Sequence, residues 1–440
     1  MKKYIEKYSA HILGIAILVF FVHGAKLFNG SIGIDTEDII HLQDKFYGGW
    51  LDTGRQGLVF IKVILDLLNY NPYFAGLLTL IGLAIAVASW MALFDYTLQK
   101  TSPVWIWMVA GALWISHPIL VEQLYFSLQS VEICIGMFLI ALSLFAVLQW
   151  CEKSKHIWLL VGIVTAMLAF SLYQVFVPMF IMGNVMILLL QGLGSHTEKM
   201  SFKRLIERTI PYMGVFLGAF VLNMFITRMF FQTSDYLSSL VSWGSESLSN
   251  ILLGIGKHVI KVFTGYHAIH YSGTFGMLSI IVFVIVILGM KHRRTSTMPC
   301  VIFLYLALCL TPFLLTIICG AEPIVRAQLV LPIVTGSFAY LGAWMLLDDQ
   351  DNDAKILLKK KWKIVASVLL VCVVGMNVWT QTQVTMRLYY TDDCRYSYDE
   401  ALARDLIMRI EGACLSNDIE EKLPVYFVGN KSFEGNNACL

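Results

Sequence analysis

The chain is predicted to be an all-α protein threaded many times through a membrane. Three observations predict this. Of 440 residues, 58% are hydrophobic and only 14% are charged, where soluble domains are about a quarter charged. Apolar runs of about 17 residues or more, enough to cross the hydrocarbon core, recur along the chain, and the mean hydropathy is +0.70. Between those runs the basic residues fall in compact clusters on alternate sides, as the positive-inside rule requires.

The expected spans are 10–28, 73–95, 103–118, 131–150, 157–173, 176–192, 210–230, 273–290, 300–319, 328–346 and 364–381, a polytopic bundle of about 11 transmembrane helices. With the N-terminus cytoplasmic, the inner pieces 1–9, 96–102, 151–156, 193–209, 291–299 and 347–363 carry 18 of the 32 Lys and Arg residues. Lys291-His292-Arg293-Arg294 and Lys359-Lys360-Lys361 are the densest clusters. The protein is expected to be a multi-pass component of a cell inner or plasma membrane. Its first span is expected to remain as an anchor, because no small-residue cleavage site precedes the acidic residues that follow.

This threading brings the 29–56 loop, the 231–272 loop, Gly320 to Ala327 and the extracytoplasmic C-terminus after 382 to the outer face. Leu58 to Asn69 is apolar but too short to span, and Lys62 and Asp66 stand four apart in it. It reads as an interfacial helix on the outer surface, with a second such stretch in 232–262 that puts Lys257 and Lys261 on one face. Residues 1–381 form the transmembrane domain, with 29–72 as its principal outer loop. Residues 382–440 read as a small α/β appendage. Asp399 to Glu411 would be a helix striped by Leu402, Leu406, Ile407 and Ile410, and Leu423 to Val428 a strand ended by Gly429-Asn430. So short a segment holds little core alone and is expected to dock on the membrane domain.

Composition also excludes functions. A net charge of +2 with scattered basic residues gives nucleic acid nothing to bind. The nine cysteines include no CxxC pair, and Cys394, Cys414 and Cys439 in the tail make no disulfide framework. No Walker loop, GxSxG, HExxH or paired-cysteine zinc site occurs.

The chemistry-bearing signal is Asp35-Thr36-Glu37-Asp38, just beyond the first span. Carboxylates so close to hydrocarbon must face water or do chemistry. In an extended chain Asp35 and Glu37 point the same way; in a starting helix Asp35 and Asp38 share a face. Either pairing suits general-base catalysis, because neighbouring acids raise each other's proton affinity. It would equally suit a divalent cation, although no cofactor is demanded. The competing reading is a solvated loop, or a helix start whose dipole the acids offset.

Arg55 follows, preceded by Trp50, Asp52 and Gly54, at a depth that suits a phosphate or phosphodiester. It could instead snorkel and pair with Asp52. Arg326, in the short turn after Gly320, is the second cation, with Glu322 as its ordinary partner. His117, Glu122, Tyr173 and Gln174 are further outer-face groups able to line the same cavity; His117 and Glu132 also fit polar groups satisfied between helices. An acidic cluster and an arginine at a membrane surface point to an enzyme handling a phosphorylated lipid.

Ile34-Asp35-Thr36-Glu37, then Trp50-Leu51-Asp52-Thr53-Gly54-Arg55-Gln56-Gly57-Leu58, then Tyr70-Asn71-Pro72-Tyr73 resemble the bacterial Gtr type II glucosyltransferases. Ser171-Leu172-Tyr173-Gln174 and the Arg326 turn are similar to the same family, so the likeness runs from about 10 to 430. The resemblance implies a GT-C bundle whose first outer loop carries the catalytic acids. It implies a polyprenyl-phosphate sugar donor, commonly of glucose, and a polysaccharide or lipid-linked glycan acceptor outside the cell, as in O-antigen modification. Asp35 would be the general base of an inverting transfer and Glu37 or Asp38 would orient acceptor or base. Arg55 and Arg326 would bind the leaving phosphate. The competing class is a flippase or exporter of lipid-linked glycan, which would want its charges deep within the spans. A membrane acyltransferase would want a mid-membrane His, for which His117 is a poor candidate.

Overall fold

The computed structural model describes residues 2–28, 30, 36, 47–69, 71–194, 200–231, 239, 241–266, 269–290, 297–347 and 360–412. Asp35, Glu37 and Asp38, the 291–294 cluster and the strand expected at 423–428 lie outside them. Among the described residues the chain is helical apart from turns and one bridge between Trp243 and Glu246. Apolar runs must satisfy their own backbone in hydrocarbon, and the helix does so within one segment.

The helices are α1 (Lys2–His23), α2 (Gln56–Ile64), α3 (Pro72–Thr97), α4 (Val104–Ile115), α5 (Pro118–Tyr125), α6 (Ser127–Lys153), α7 (His156–Leu172) and α8 (Phe176–Gly194). They continue as α9 (Phe202–Phe230), α10 (Leu248–Thr264), α11 (Thr274–Met290), α12 (Met298–Leu310), α13 (Leu314–Cys319), α14 (Val330–Leu347) and α15 (Lys360–Gly412). Local chemistry sets several boundaries. Asn71 caps α3, its Oδ1 accepting from Phe74 N at 3.1 Å, with Pro72 in the first turn, where no N–H is needed. That cap accounts for the Asn71-Pro72 pair. Pro118 also forces His117 into extended backbone, so α4 and α5 meet at a 59° bend.

Among the described residues eight helices are long and apolar enough to cross a membrane, α12 and α13 counting together, or nine if the bent α4–α5 pair is one span. The apolar α7 and α11 have 17 residues each. The central post is α14, almost wholly buried, packed by α4 and α11; α6 joins α3 to α7. At the rim, α9 and α15 turn Leu217, Phe225, Val368 and Leu369 outward, as helices facing lipid do.

The structure corrects two details of the sequence reading. The short helix α2 stops at Ile64, so Asp66 lies beyond it, exposed and with φ 53°, and the spacing with Lys62 is not used. Lys62 turns inward while Phe60, Val63 and Ile64 turn outward. This inward charge and outward apolar face reverse the pattern of a helix on a soluble protein. Second, no break separates a membrane span from a tail helix: α15 runs unbroken for 53 residues through position 381. Its Leu402 and Leu406 are half-buried, whereas Ile407 and Ile410 are exposed. The amphipathic stretch expected in 232–262 is α10, with Ile251, His258 and Val262 buried and Leu252, Leu253 and Ile260 exposed.

Candidate active site

The segments assigned to the outer face meet at one end of the bundle. Residues 47–52 form a helical turn held to the segment after α2 by the Tyr47 hydroxyl, which donates to Leu68 O at 2.8 Å. The chain then reverses at Gly54, whose φ of 74° is costly for any residue with a Cβ. Arg55 N returns to Trp50 O at 2.9 Å, closing the turn. Two side chains clamp this corner. Gln174 Nε2 donates to Thr53 O at 3.0 Å, and Gln56 Nε2 donates to Asn223 Oδ1 and Thr227 Oγ1 of α9 at 2.8 and 2.9 Å. Gly57 lets α2 lie against the end of α7: a Cβ there would stand 2.1 Å from Ser171 Oγ. Gly54-Arg55-Gln56-Gly57 and Ser171-Leu172-Tyr173-Gln174 are thus two halves of one joint.

That joint presents Arg55 to a cavity of about 260 Å³ lined by Trp50, Thr53, Arg55, Phe126, Tyr173, Ile324 and Arg326. The volume is below the ~300–1,000 Å³ of drug-sized ligand pockets and suits a headgroup rather than a lipid chain. Both guanidinium groups lie over rings, Arg55 4.9 Å from the Tyr173 centroid and Arg326 5.4 Å from that of Phe126. A ring face holds a guanidinium by its quadrupole, and the planar fork of a guanidinium matches the geometry of a phosphate. Trp50 packs edge-on against Phe126, so the aromatic wall is continuous.

Buried ions fix the wall from behind. Lys62 of α2 pairs with Glu132 of α6 at 2.9 Å, both buried, and Lys62 also lies 5.8 Å over the Trp50 ring. Lys26, buried in the turn after α1, donates to Leu124 O at 2.5 Å, two residues before Phe126. His23 Nε2–H donates to Ile115 O at 2.8 Å, which leaves Nδ1 to accept from the Tyr389 hydroxyl at 3.0 Å. Ser116, at the α4–α5 bend, donates to Gln381 Oε1 at 2.9 Å, so α15 is tied to the same end.

Of the residues proposed from sequence, Trp50, Arg55, Tyr173 and Arg326 come together around the cavity, and Gln174 holds the loop beside it. Asp52 is exposed and is not among the lining residues. His117 is buried and caps α5, accepting from Ile119 N. Glu122 faces His270, with 3.6 Å between Oε1 and Nε2. Burial, and then the charge of Lys261, hold the His270 pKa below its ordinary value, so its ring favours the neutral form. Thr36, between the acids Asp35 and Glu37, is fully buried; the acids themselves, with Asp38, are outside the described residues. Among the described residues no three His, Cys, Asp or Glu side chains converge as a metal site. Sequence reasoning missed Thr53, Ile324 and the Lys62–Glu132 pair. For the pair a signal existed: an intramembrane carboxylate and a lysine at the same end call for each other.

Fold and site together define a polytopic helical membrane protein with two arginines set over the rings of an aromatic-walled cavity. The family profile described as Glucosyl transferase GtrII matches residues 24–341, most of the 440. The chain belongs to that glucosyltransferase family. Searches against curated proteins and against solved structures returned no match.

Proposed function

We propose that the protein transfers a hexose, glucose in the first instance, from a polyprenyl-phosphate donor to an extracytoplasmic polysaccharide or lipid-linked glycan with inversion. The observation that carries the reading is the meeting of Arg55 and Arg326, far apart in sequence, at one aromatic-walled cavity. A phosphate-linked sugar needs its leaving phosphate stabilised and an incoming hydroxyl activated, so cation and carboxylate must flank the anomeric carbon. Asp35 takes the proton of the acceptor hydroxyl. The oxygen attacks the anomeric carbon opposite the phosphate, the C–O bond to phosphate breaks, and the arginines hold the departing charge. Glu37 or Asp38 orients acceptor or base, Trp50 and Tyr173 supply ring faces for the sugar, and Glu122 lies on the acceptor side. His117 acts through the α4–α5 bend and Asp52 at the surface rim. The acids have oxygen ligands enough for a divalent cation should one take part.

The same reading keeps eleven spans, with α7, α11 and the bent α4–α5 pair crossing beside the longer helices, in an inner or plasma membrane. It keeps the N-terminus cytoplasmic, residues 1–381 as the transferase body and 382–440 as an extracytoplasmic part. The test is transfer of label from radiolabelled polyprenyl-phosphate-glucose to cell-envelope glycan by the purified full chain, wild type against Asp35→Asn. Transfer that depends on Asp35 supports the reading. Near-wild-type transfer by Asp35→Asn removes Asp35 as base, and no transfer from glucose, mannose or galactose donors by folded protein moves the reading to a flippase.

A further inference from the structure

Arg326 sits in a turn with little structure of its own: a single 3-10 turn, Val325–Ala327, between α13 and α14. A short turn would leave the guanidinium free to wander by more than an ångström, and a side chain that must meet a phosphate cannot tolerate that. What holds it is a hydrogen-bonded cluster centred on Gln328, which is buried one residue past the turn. Gln328 Nε2 donates back across the turn to Pro323 O at 2.9 Å. Its Oε1 accepts from the Tyr271 hydroxyl at 2.8 Å and lies 3.2 Å from His258 Nε2. On the far side of the ring, His258 Nδ1 lies 2.9 Å from Thr316 Oγ1.

These contacts orient one another. The amide must present its oxygen to His258 and Tyr271, because its nitrogen is committed to Pro323. His258 Nε2 must then carry the proton, and Nδ1 accepts from Thr316. Burial holds the His258 pKa below its ordinary value against the opposing charge of Glu322, which favours this neutral ring. A second tie closes the other end of the turn: Lys261, on the same helix as His258, pairs with Glu322 at 2.8 Å, and Tyr271 also reaches Glu322 at 3.2 Å. The turn from Glu322 to Gln328 is therefore gripped at both ends by α10 and by Tyr271. Ile324 and Arg326, the two residues it sends to the cavity, lie between the grips.

We propose that Gln328, oriented by His258 and Tyr271, is a positioning residue that sets Arg326 against the donor phosphate. The proposal rests on the reading of Arg326 as a donor-phosphate ligand. It touches no substrate: it acts through the turn. It also assigns α10 a role in the reaction, because His258 and Lys261 of that helix hold the two ends of the turn that carries the cation.

The test is the donor dependence of transfer by the purified full chain in four forms: wild type, Gln328→Leu, Arg326→Ala and the double variant. Gln328→Leu keeps the side-chain bulk and removes every polar contact. It is expected to raise the donor KM about tenfold with kcat changed less than about twofold, the pattern of lost uniform binding. In the Arg326→Ala background the same substitution is expected to change the donor KM by less than about twofold, because positioning an absent cation is worth nothing. Equal effects of Gln328→Leu with and without Arg326 would overturn the proposal and leave the donor-phosphate reading standing. If Arg326→Ala leaves the donor KM unchanged, that reading falls and the proposal with it. Should Gln328→Leu fail to fold, Tyr271→Phe answers the same question with one hydroxyl removed. It is expected to raise the donor KM about threefold, again only when Arg326 is present; no change in KM would overturn the proposal.

Discussion

The two ends of the bundle bury charge in opposite ways. At one end Asp95 is wholly buried and closed by donors: the Tyr340 hydroxyl at 2.6 Å, Ser102 N at 3.1 Å and Trp107 Nε1 at 3.2 Å. Three elements, α3, α4 and α14, converge on this carboxylate, and its oxygens are spent on holding them. At the other end Arg55 and Arg326 are only half-buried, rest on ring faces and border a cavity. A charge saturated by fixed dipoles is a structural bolt. A charge steadied on a ring beside empty volume is placed to receive a ligand. The difference lies in what surrounds the charge, and hydropathy does not record it.

The contrast can be broken by experiment. Asp95→Ala strands a hydroxyl and two N–H groups at once, each worth about 1–3 kcal/mol. The expected loss is about 3 kcal/mol or more in detergent unfolding, with transfer per folded molecule unchanged. Arg55→Ala should do the reverse: a stability change within about 1 kcal/mol and a donor KM raised about tenfold. If Arg55→Ala instead unfolds the protein as readily as Asp95→Ala, the two ends do not differ in kind. Acidification gives a smaller effect. His258 and His270 have folded pKa values below the ordinary ~6.5. The unfolded chain therefore takes up protons that the folded chain refuses. Their contribution is complete above about pH 6.5 and declines below it, so the unfolding midpoint should fall between about pH 7 and about pH 5, and less so in His270→Gln. A flat profile would mean that the rings are not held neutral. The smallest effect belongs to the exposed Arg404–Glu400 pair on α15, where Arg404→Ala should alter stability by less than about 0.5 kcal/mol.

Much of this was legible in the residues. Long apolar runs mark helices because hydrocarbon leaves the backbone no other partner, and the Arg55 and Arg326 loops could be placed on one face by counting basic clusters. Tyr173 and Gln174 were legible as polar groups breaking an apolar stretch. Ile324 was not, since an apolar side chain in a short turn carries no signal of facing a cavity. The inward turn of Lys62 was not legible either, because Asp66, four residues on, is the ordinary partner on a helix in water. Here the helix stops at Ile64 and the lysine looks inward to Glu132. Nor did the change to soluble composition after Gln381 mark a break, because a helix that leaves a membrane has no need to end there.

The Lys62–Glu132 pair also has a consequence in time. The lysine is synthesised seventy residues before its carboxylate. At about 5–20 residues per second, roughly 4–14 s pass before a partner for Lys62 exists. During that interval seating α2 would bury a bare cation, so the segment must wait outside its final place. The Arg55 corner is therefore a late product of biosynthesis, closed only when α6, α7 and α9 have arrived, although it is encoded near the start of the chain.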